Sequence, residues 1–389
     1  MSKRIKIGLL SHYFKDSNLG CTALSICNLI LIDKAVSELG YEAKYVIFEN
    51  EKQPQVSLDF IDVQYEYRVF PSTKQAIKHP VKLLNTHIFD DCDLVFNLCA
   101  GDGFTDIYGT WRTFSETYMT LLSIKKGCNT VLAPQTIGPF SNNISNYLAK
   151  KAMDGCEAIF ARDHLSYELC KTMGQEQKTT EVVDVALALP YKRVNLQEGF
   201  NVGINVSGLL YDKEDRFGLH IDYDRFIHEI IEYCLNNKFN VHLISHVNIP
   251  NGFGEDDYAA CKKINNKYSQ TILAPKFDSP IDAKGYISGL DLFTGARMHA
   301  TIGALSSNVP VIPIAYSRKV NGLYGNLQYP YFIDAKNESM SNEKAFLLFK
   351  NYVSRLNEIK DNLGKSKLIY DRELKKYIEA VKSLLILSV

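Results

Sequence analysis

The sequence lacks an excess of charge of either sign, because its 44 lysines and arginines are balanced by 44 aspartates and glutamates. Nucleic-acid-binding proteins commonly carry a basic excess or stripe, so we expect no nucleic-acid partner. Tryptophan is nearly absent, with one residue against 23 tyrosines and 20 phenylalanines. Hydrophobic residues make up 46% and charged residues 23% of the chain. This ordinary balance excludes a disordered or collagen-like chain and predicts globular domains.

Long apolar runs and paired cysteine motifs are also missing. No run reaches about 18 apolar residues, so no membrane-spanning helix is predicted. The N-terminal apolar run is too short for a secretory signal. We expect a cytoplasmic protein, with contact at the inner face of the membrane left open. The nine cysteines include no Cys-x-x-Cys pair and no metal-ligand spacing, so we expect buried free thiols and no metal site.

Short apolar runs alternate with helical patterns along most of the chain, which predicts parallel sheets covered by helices. A first series of predicted strands lies at residues 5–10, 43–48, 93–98, 130–133, 158–161 and 182–188. A second series lies at residues 201–206, 241–245, 271–273, 291–293 and 309–314. A polar segment at residues 191–198 separates the two series, and residues 342–387 have an almost continuous helical pattern.

The predicted fold class is α/β and GT-B-like, with two doubly wound parallel-sheet domains facing a central cleft and C-terminal helices. Residues 1–195 are expected to form an N-terminal α/β domain, which contributes Arg162. Residues 196–335 are expected to form a C-terminal α/β domain. Residues 336–389 form a predicted helical segment that packs back on the N-terminal domain. Ligands of such sheets bind beyond the carboxyl ends of the strands.

Cationic side chains follow two strands of the second series. Arg297 and His299 come where one strand ends and a helix begins, and Lys319 follows the next strand. A helix N-terminus offers free N–H groups, and guanidinium binds phosphate or carboxylate through two hydrogen bonds. These residues predict an anion site. The alternatives are a capping arginine, a core histidine and a solvated basic turn.

Further candidates follow other strands. Arg162 ends a strand of the first series beside Asp163, a predicted helix N-cap, and the two could instead form a structural ion pair. His246 follows a strand of the second series, near an acidic trio at residues 255–257 that we interpret as a helix N-terminal turn. The glycine-rich loop at residues 101–106 and the Asn18–Gly20 turn indicate ligand contacts more weakly.

Over residues 5–324 the sequence resembles the polysaccharide pyruvyltransferase family. The resemblance is strongest in GLDLFTGARMHATI, from residue 289, and VPVIPIAYSRK, from residue 309. The stretches APQTIGP at 133–139 and ARD at 161–163 support it. The family implies a GT-B-like fold and transfer of an enolpyruvyl unit from phosphoenolpyruvate to a sugar, which is closed as a ketal. No cofactor or metal is implied, and phosphoenolpyruvate acts as co-substrate.

The resemblance also implies roles for individual residues. Its catalytic triad corresponds to Arg162, His299 and Lys319. The expected donor-binding residues are Arg162, Ser207, His246, Arg297, His299 and Lys319. The expected acceptor-binding residues are Asn18, Gly20, Asp102, Asp106 and Gln135. His299 is expected to act as general acid or to neutralise phosphate, and the base is left open among Asp102, Asp106 and His12.

Two loops depart from the family pattern. Residues 101–103 read Gly-Asp-Gly where three glycines are common, and residues 18–23 read NLGCTA where many members have N-x-G-D-x-A. The resemblance implies that residues 1–195 are the acceptor side and residues 196–335 the donor side, so both departures concern the acceptor. The expected acceptor is a sugar of a cell-surface polysaccharide or its lipid-linked precursor, and homo-oligomerisation is left open.

The main alternative is a nucleotide-sugar-dependent GT-B glycosyltransferase of envelope polysaccharide synthesis, which shares the architecture. It would need a nucleobase slot in the second domain, and no clear slot is visible in the sequence. A non-catalytic scaffold is a second alternative. The placement of Arg162, His299 and Lys319 at strand ends argues against that reading.

Overall fold

The computed structural model describes residues 2–49, 56–70, 73, 78, 87–212, 217–249 and 255–388. The chain divides into two compact units. The first unit comprises Met1–Lys15, Leu24–Val185 and Arg372–Val389. The second unit comprises Asp16–Ala23 and Ala186–Asp371. Each unit has its own parallel sheet, as expected for chains in which strands and helices alternate.

The first unit is built on a seven-stranded parallel sheet. Its strands are β1 (Arg4–Leu10), β2 (Glu42–Glu49), β3 (Gln64–Val69), β4 (Leu94–Asn97), β5 (Asn129–Gln135), β6 (Ala158–Ala161) and β7 (Thr179–Glu181). Their order is β3-β2-β1-β4-β5-β6-β7, so the winding direction reverses between β1 and β4. The reversal creates a crevice for ligands at the carboxyl ends of these two strands.

Two details of this sheet differ from the sequence prediction. Strand β3 was not predicted, because its sequence QYEYRV is polar and only partly buried. The strand predicted at residues 182–188 is wrong. Strand β7 ends at Glu181, and Val185–Ala188 form a 3₁₀ turn instead. An apolar run of this length does not separate a strand from another buried conformation.

The helices of the first unit cover both faces of its sheet, as right-handed crossovers require. Among the described residues they include α1 (Leu19–Glu38), α2 (Thr110–Lys125), α3 (Asn143–Gly155) and α4 (His164–Thr172). The side chain of Asn142 caps α3, and that of Asp163 caps α4, so the predicted N-cap at Asp163 is confirmed.

Helix α1 is apolar because it is a core helix. Among the described residues it is the one helix long and apolar enough to cross a membrane by length and composition alone. The prediction concerned continuous apolar runs, and α1 is interrupted by Asn28, Asp33 and Lys34. In addition, 78% of its most apolar window is buried inside the protein, and Leu24, Cys27, Leu29 and Ile32 are fully enclosed.

The second unit is built on a six-stranded parallel sheet with the order β10-β9-β8-β11-β12-β13. Its strands are β8 (Asn201–Asn205), β9 (Asn240–Ile244), β10 (Ile272–Leu273), β11 (Leu292–Gly295), β12 (Val311–Ala315) and β13 (Ile333–Asp334). Its helices are α5 (Tyr223–Asn236), α6 (Asp257–Lys267), α7 (Pro280–Ile287), α8 (Met298–Ser306), α9 (Arg318–Asn326) and α10 (Asn342–Ser354). The winding reverses between β8 and β11.

The chain ends in one long helix, α11 (Leu356–Ser388). From Arg372 onward this helix belongs to the first unit. The ring of Tyr377 packs edge-on against Phe160 with 4.8 Å between ring centres, and its hydroxyl donates to Asn28 Oδ1 at 2.6 Å. Leu385 is fully buried, whereas Leu387 is 75% exposed. The apolar C-terminal end is therefore only partly covered.

The cysteines and acidic side chains form no cross-link or metal cluster in the described chain. All nine cysteines are free thiols, and eight of them are buried. Burial raises the pKa of several thiols, for example that of Cys156 to about 12, which keeps such thiols protonated and unreactive. Within the described residues, no three histidine, cysteine or carboxylate side chains lie close enough together to hold a metal ion.

Candidate active site

The candidate donor-side residues of the second unit lie at one edge of its sheet. Ser207 follows β8, His246 follows β9, and Arg297 and His299 follow β11. Lys319 lies in the first turn of α9, which follows β12. All these strands are parallel, so their carboxyl ends share an edge. This is the edge at which doubly wound sheets bind ligands.

Arg297 is held at this edge by a buried ion pair with Asp257. Its Nε and Nη2 lie 3.1 and 2.8 Å from Asp257 Oδ1. Both residues are buried, and Asp257 is completely enclosed. Burial lowers the pKa of the Arg297 guanidinium, but the Asp257 carboxylate more than offsets this and the pKa is raised overall. Arg297 is therefore a fixed cation, and much of its hydrogen-bonding capacity is already used.

Asp257 also joins the loops that follow three strands. Its carboxylate accepts the backbone N–H groups of Gly208 at 2.8 Å, His246 at 3.2 Å and Val247 at 3.1 Å. A carboxylate that accepts several N–H groups organises the loops around it. Sequence analysis assigned Asp257 only to a helix N-terminal turn. It is the first residue of α6, and Asp256 is the cap, but its partner Arg297 lies 40 residues away.

His246 points a buried, neutral ring into the same edge. It is 4% exposed, and neither ring nitrogen has a hydrogen-bond partner among the described residues. Burial, together with the nearby His299 and Arg297, lowers the pKa of His246 to about 3. The hydroxyl oxygens of Ser207 and Ser245 are also buried without a partner in the described chain.

Such groups are costly in a folded protein. Leaving one buried polar group without a partner costs about 1–3 kcal/mol. Their accumulation at the ends of β8 and β9 therefore indicates a site that is completed by a polar ligand or by ordered water.

A small pocket brings three nitrogen-bearing side chains together in the second unit. His246, His299 and Lys284 line it, and the rest of its lining is mostly apolar. The pocket holds about one water-sized group, with a volume of about 10 Å³. Lys284 is 2% exposed and donates to the carbonyl of Leu189 at 2.7 Å. A pocket of this size and charge fits one oxygen of an anion.

Lys284 was not recognised in the sequence. It lies in the middle of α7, in the stretch PIDAKGYI. A lysine among such residues is ordinarily interpreted as a solvent-facing position of a helix. Lysine is rarely fully buried unless it has a partner, and the signal that could have identified it is only the apolar character of its neighbours.

The segment before α1 lies against this site. Residues 16–23 belong to the second unit, although sequence analysis assigned Asn18 and Gly20 to the acceptor side. The N–H of Leu19 donates to the His246 carbonyl at 3.1 Å, and Asn18 pairs with Val247 in an isolated bridge. A Cβ on Gly20 would overlap Nδ1 of His299. Glycine is therefore required for this approach.

The helices behind the candidate anion site begin without side-chain caps. Arg297 is the N-cap residue of α8 and Ser317 that of α9, and neither side chain accepts a hydrogen bond from its helix. By contrast, Asp222 caps α5 and Ser279 caps α7 through their side chains. Both helices therefore direct the positive ends of their dipoles to this edge without a capping side chain, which favours anions there.

Arg162 occupies the corresponding edge of the first unit. It is 4% exposed. Its Nε donates to Thr136 Oγ1 at 2.9 Å and its Nη1 to Asp184 Oδ2 at 3.0 Å. The ion-pair partner is therefore Asp184, not the neighbouring Asp163. Gly101 has a φ of +86°, and a Cβ there would overlap Leu24 Cδ1 and lie 3.3 Å from Nη1 of Arg162, so glycine is needed where the loop after β4 packs on Leu24 beside the guanidinium.

The expected acceptor-side residues of the first unit make internal hydrogen bonds. Asp106 Oδ2 accepts from the backbone and side chains of Ser141 and Asn142, with distances from 2.6 to 3.2 Å. Asp102 Oδ2 accepts from the Tyr108 hydroxyl at 2.9 Å. Gln135 donates to two backbone carbonyls, and its buried Oε1 has no partner among the described residues. Gln135 thus keeps a free acceptor atom.

His12, a candidate base, is fully buried in the first unit. Its Nδ1 lies 3.0 Å from the Leu10 carbonyl, and its Nε2 lies 2.8 Å from Asn28 Nδ2. Burial lowers the pKa of His12 to about 4. Both nitrogens are occupied, because a carbonyl can only accept and an amide NH₂ can only donate. This arrangement gives His12 a structural role in joining β1 to α1.

A buried carboxylate beside β1 and β4 was missed by sequence analysis. Glu116 on α2 is 1% exposed, accepts from the Ser11 hydroxyl at 3.1 Å and pairs with Arg112 at 2.9 Å. Burial raises the pKa of Glu116. Ser11 and Cys99, at the ends of β1 and β4, both have positive φ, at 53° and 46°. Such strain in residues other than glycine clusters at functional sites.

Comparison with solved structures shows the fold. A protein from Listeria monocytogenes that is assigned as a UDP-N-acetylglucosamine 2-epimerase matches with a TM-score of 0.62 at 13% identity, covering 98% of this chain and 96% of that one. The UDP-GlcNAc 2-epimerase of Neisseria meningitidis matches with a TM-score of 0.58 at 11% identity, covering 96% of this chain and 100% of that one. The UDP-GlcNAc 2-epimerase of Methanocaldococcus jannaschii matches with a TM-score of 0.56 at 12% identity, covering 89% of this chain and 92% of that one. These are GT-B-type structures, so the predicted GT-B-like α/β fold is confirmed.

Fold alone does not identify the reaction, because this architecture carries many activities. No curated protein sequence matches the chain. The model of the family described as polysaccharide pyruvyl transferase matches residues 25–318. This stretch includes Arg162, His246 and His299, and it ends one residue before Lys319. The chain therefore belongs to the polysaccharide pyruvyl transferase family.

Proposed function

We propose that the protein transfers a pyruvyl group from phosphoenolpyruvate to a sugar of a cell-surface polysaccharide or of its lipid-linked precursor. The observation that carries this proposal is the pocket formed by His246, Lys284 and His299. It lies in the same unit as the buried Arg297 and the uncapped N-termini of α8 and α9. Anionic groups are the ligands that such an arrangement attracts.

Phosphoenolpyruvate fits this arrangement because it carries a carboxylate and a phosphate on three carbons. One anionic oxygen can enter the small pocket between Lys284 and His246. The other group can approach the N-terminus of α8 or α9, where the helix dipole favours negative charge and where Lys319 lies in the first turn of α9. A neutral His246 donates one N–H to an anion without needing to be protonated. No cofactor is proposed, and phosphoenolpyruvate is the co-substrate.

The proposed reaction begins with proton transfer from His299 to the methylene carbon of phosphoenolpyruvate. Imidazole suits this step because it titrates near neutral pH. The resulting cation at C2 is attacked by a sugar hydroxyl, which loses its proton to a base. Inorganic phosphate then leaves C2, and a neighbouring hydroxyl adds to that carbon with loss of a second proton. The products are a cyclic pyruvate ketal and phosphate.

We assign the sugar acceptor to the first unit, where Arg162, Gly101 and Gln135 lie at one edge of the sheet. The Gln135 Oε1 atom is a buried acceptor available to a sugar hydroxyl. Glu116 and Ser11 add a carboxylate with a raised pKa to the candidate bases. A lipid-linked acceptor would be met in the cytoplasm at the inner face of the membrane, which is where we propose that the protein acts.

A thermal-shift experiment tests the donor. The unfolding midpoint of the wild type is measured with phosphoenolpyruvate and with a panel of UDP- and GDP-sugars. The variants are His299→Ala and Lys284→Met, each compared with its own ligand-free midpoint. Lys367→Met is the matched control, because this exposed lysine forms a surface ion pair with Asp371 and lies over the ring of Tyr370. A ligand at 100 times its Kd adds about 2.7 kcal/mol of stability.

We expect phosphoenolpyruvate to raise the midpoint of the wild type and of Lys367→Met, and to have little effect on the site variants. If phosphate is then released from phosphoenolpyruvate only when a saccharide is added, transfer of the pyruvyl group to that saccharide is identified. Stabilisation by a nucleotide sugar, with none by phosphoenolpyruvate, would overturn the proposal. That result would favour the nucleotide-sugar-dependent glycosyltransferase, whose GT-B fold this chain shares.

A further inference from the structure

The first unit exposes a cluster of large apolar side chains beside its candidate site. The cluster, termed the aromatic patch, consists of Ile107, Tyr108, Trp111, Ile144 and Tyr147. Their exposed fractions are 59, 56, 51, 64 and 65%. Scattered single apolar residues are normal on a protein surface, whereas a contiguous group indicates an interaction site.

Hydrogen bonds hold the two halves of this patch together. Asp106 accepts from Ser141 and Asn142, which ties the loop before α2 to the start of α3. The Asn142 side chain also donates to Thr110 Oγ1 at 3.2 Å. On α3, Ile144 and Tyr147 are three residues apart and therefore lie on one face of the helix. The patch is thus a rigid surface and not a loose loop.

The charged side chains within the two segments that carry the patch are basic, whereas Asp102, Asp106 and Asp154 lie beside these segments. Segments 107–115 and 140–153 contain Arg112, Lys150 and Lys151 and no carboxylate, although the whole chain has no net charge. Lys150 shares an exposed ion pair with Asp154 at 2.9 Å, and exposed pairs of this kind contribute little. Arg112 pairs with the buried Glu116. The exposed lysines are placed to meet an anionic surface.

The composition of the patch favours a lipid surface over a second copy of the chain. Tryptophan and tyrosine concentrate at the boundary between lipid and water, and exposed isoleucines add apolar surface that can enter the headgroup region. A symmetric contact between two copies would place the same patch on both sides. Lys150 and Lys151 of the two copies would then repel one another.

We propose that the aromatic patch docks on the surface of an anionic membrane. Helices α2 and α3 follow β4 and β5, so the patch lies at the same carboxyl edge of the sheet as Arg162 and Gly101. Docking would present this edge to lipid-linked molecules at the membrane. This consequence rests on the proposed acceptor, but the docking itself does not depend on the donor or on catalysis.

The single tryptophan of the chain makes the test direct, because Trp111 lies in the patch. The emission of the full chain is measured with vesicles of phosphatidylcholine containing about 30% phosphatidylglycerol, and with pure phosphatidylcholine. Brominated phosphatidylcholine serves as a quencher at the depth of the acyl chains. We expect a blue shift and quenching with the anionic vesicles, and co-sedimentation of the protein with them.

Two variants retain the tryptophan reporter and remove the contacts. Ile144→Ser/Tyr147→Ser is expected to weaken vesicle binding by about tenfold or more. Lys150→Glu/Lys151→Glu is expected to remove the preference for anionic lipid. The matched control is Leu347→Ser/Leu368→Ser, which replaces leucines that are 64 and 74% exposed on α10 and α11 and should leave binding unchanged.

Three results would overturn the proposal. These are an unchanged spectrum with anionic vesicles, a spectral change only with soluble oligosaccharide, or a change that follows protein concentration and dimerisation without lipid. Equal loss of vesicle binding in the Leu347→Ser/Leu368→Ser control would also contradict it. Failure of phosphoenolpyruvate to stabilise the protein would leave vesicle binding intact, so the two proposals fail separately.

Discussion

Asp257 is the residue on which the second unit's candidate site depends. It neutralises Arg297 and accepts backbone N–H groups from the loops after β8 and β9. Removing one partner of a buried pair leaves an uncompensated charge, which typically costs about 3–5 kcal/mol. The geometry of His246 depends on the same carboxylate, because its backbone N–H donates to it.

We expect Asp257→Asn to lower the unfolding midpoint by on the order of 10 °C, because the buried Arg297 loses its counter-charge. Differential scanning calorimetry measures this change. Asp212→Asn is the matched control, since Asp212 forms an exposed pair with Lys263 and its loss should cost less than about 1 kcal/mol. Equal midpoints for the two variants would show that Asp257 does not hold the site together.

At the scale of residues, the sequence predicted which residues belong to the candidate site better than it predicted their ion-pair partners. Arg297, His299 and Lys319 were identified because glycine and strand-end patterns mark such positions locally. The partner of Arg297 lies 40 residues earlier and that of Arg162 lies 22 residues later. Pairings over such distances are set by strand order, which no local pattern reports. The free ring of His246 and the burial of Lys284 depend on packing in the same way.

At the scale of elements, the start of α1 is the piece that shapes the pocket around His299. The segment before this helix is held by hydrogen bonds to the loop after β9, through Leu19 and Asn248. Gly20 sits where a side chain would meet the imidazole. The second helical turn carries Ala23, which lines the pocket itself.

Gly20→Ala should therefore displace His299 while leaving both sheets intact. We expect the stabilisation by phosphoenolpyruvate to disappear and catalytic turnover to fall by about 100-fold, the size of effect that small misplacements produce. The ligand-free midpoint should change little. Gly325→Ala on α9 is the control, because a Cβ there meets nothing within 4 Å. That variant should gain about 0.5–1 kcal/mol of stability. Normal ligand response in Gly20→Ala would contradict this view of the pocket.

The elements themselves were largely predictable where the pattern was strong. Buried parallel strands such as β1 and β8 appear as continuous apolar runs, and the cap at Asp163 marks the start of α4. Strand β3 escaped prediction because its side chains are only partly buried. The apolar run at residues 182–188 was wrongly predicted as a strand, because apolar composition alone does not separate a strand from another buried conformation. The sequence did not distinguish helix α1 from the other helices. Its long apolar composition reflects its buried position in the core.

At the scale of the whole molecule, the alternation of strands and helices predicted two parallel sheets, and the fold comparison supports that reading. The assignment of residues 16–23 to the second unit could not be predicted, since these residues precede most of the first unit in sequence. The same holds for the return of α11 to the first unit through Tyr377. Both features arise from packing between distant parts of the chain.

Buried histidines make the stability of the whole chain dependent on pH. Burial lowers the pKa of His12 and His242 to about 4 and that of His246 to about 3. An unfolded histidine takes up a proton near pH 6.5. Below that pH the unfolded chain binds protons that the folded chain refuses. The stability that these residues contribute is therefore complete above about pH 6.5 and is lost as the pH falls towards 3–4.

The contribution of one histidine can be isolated with His242→Gln. His242 lies within hydrogen-bond distance of the Tyr286 hydroxyl and Asn201 Oδ1. We expect wild-type stability, measured by urea unfolding, to fall between pH 7 and pH 5 by about 2 kcal/mol more than that of the variant. Burial raises the pKa of carboxylates such as Glu49, to about 7, and these groups make the protein more stable as the pH falls. Their effect is the same in the wild type and the variant, so it cancels when the two stabilities are subtracted.

His164→Gln supplies the control of opposite sign. Its ring is exposed, and the hydrogen bond and charge of Glu181 raise the pKa of His164. The folded chain therefore holds that proton more tightly, and the stabilisation is present below pH 6.5 and is lost as the pH rises. Parallel stability curves for the wild type and His242→Gln would show that His242 is not kept neutral by the fold. A smaller acid-induced loss in the variant would establish proton exclusion by the buried ring.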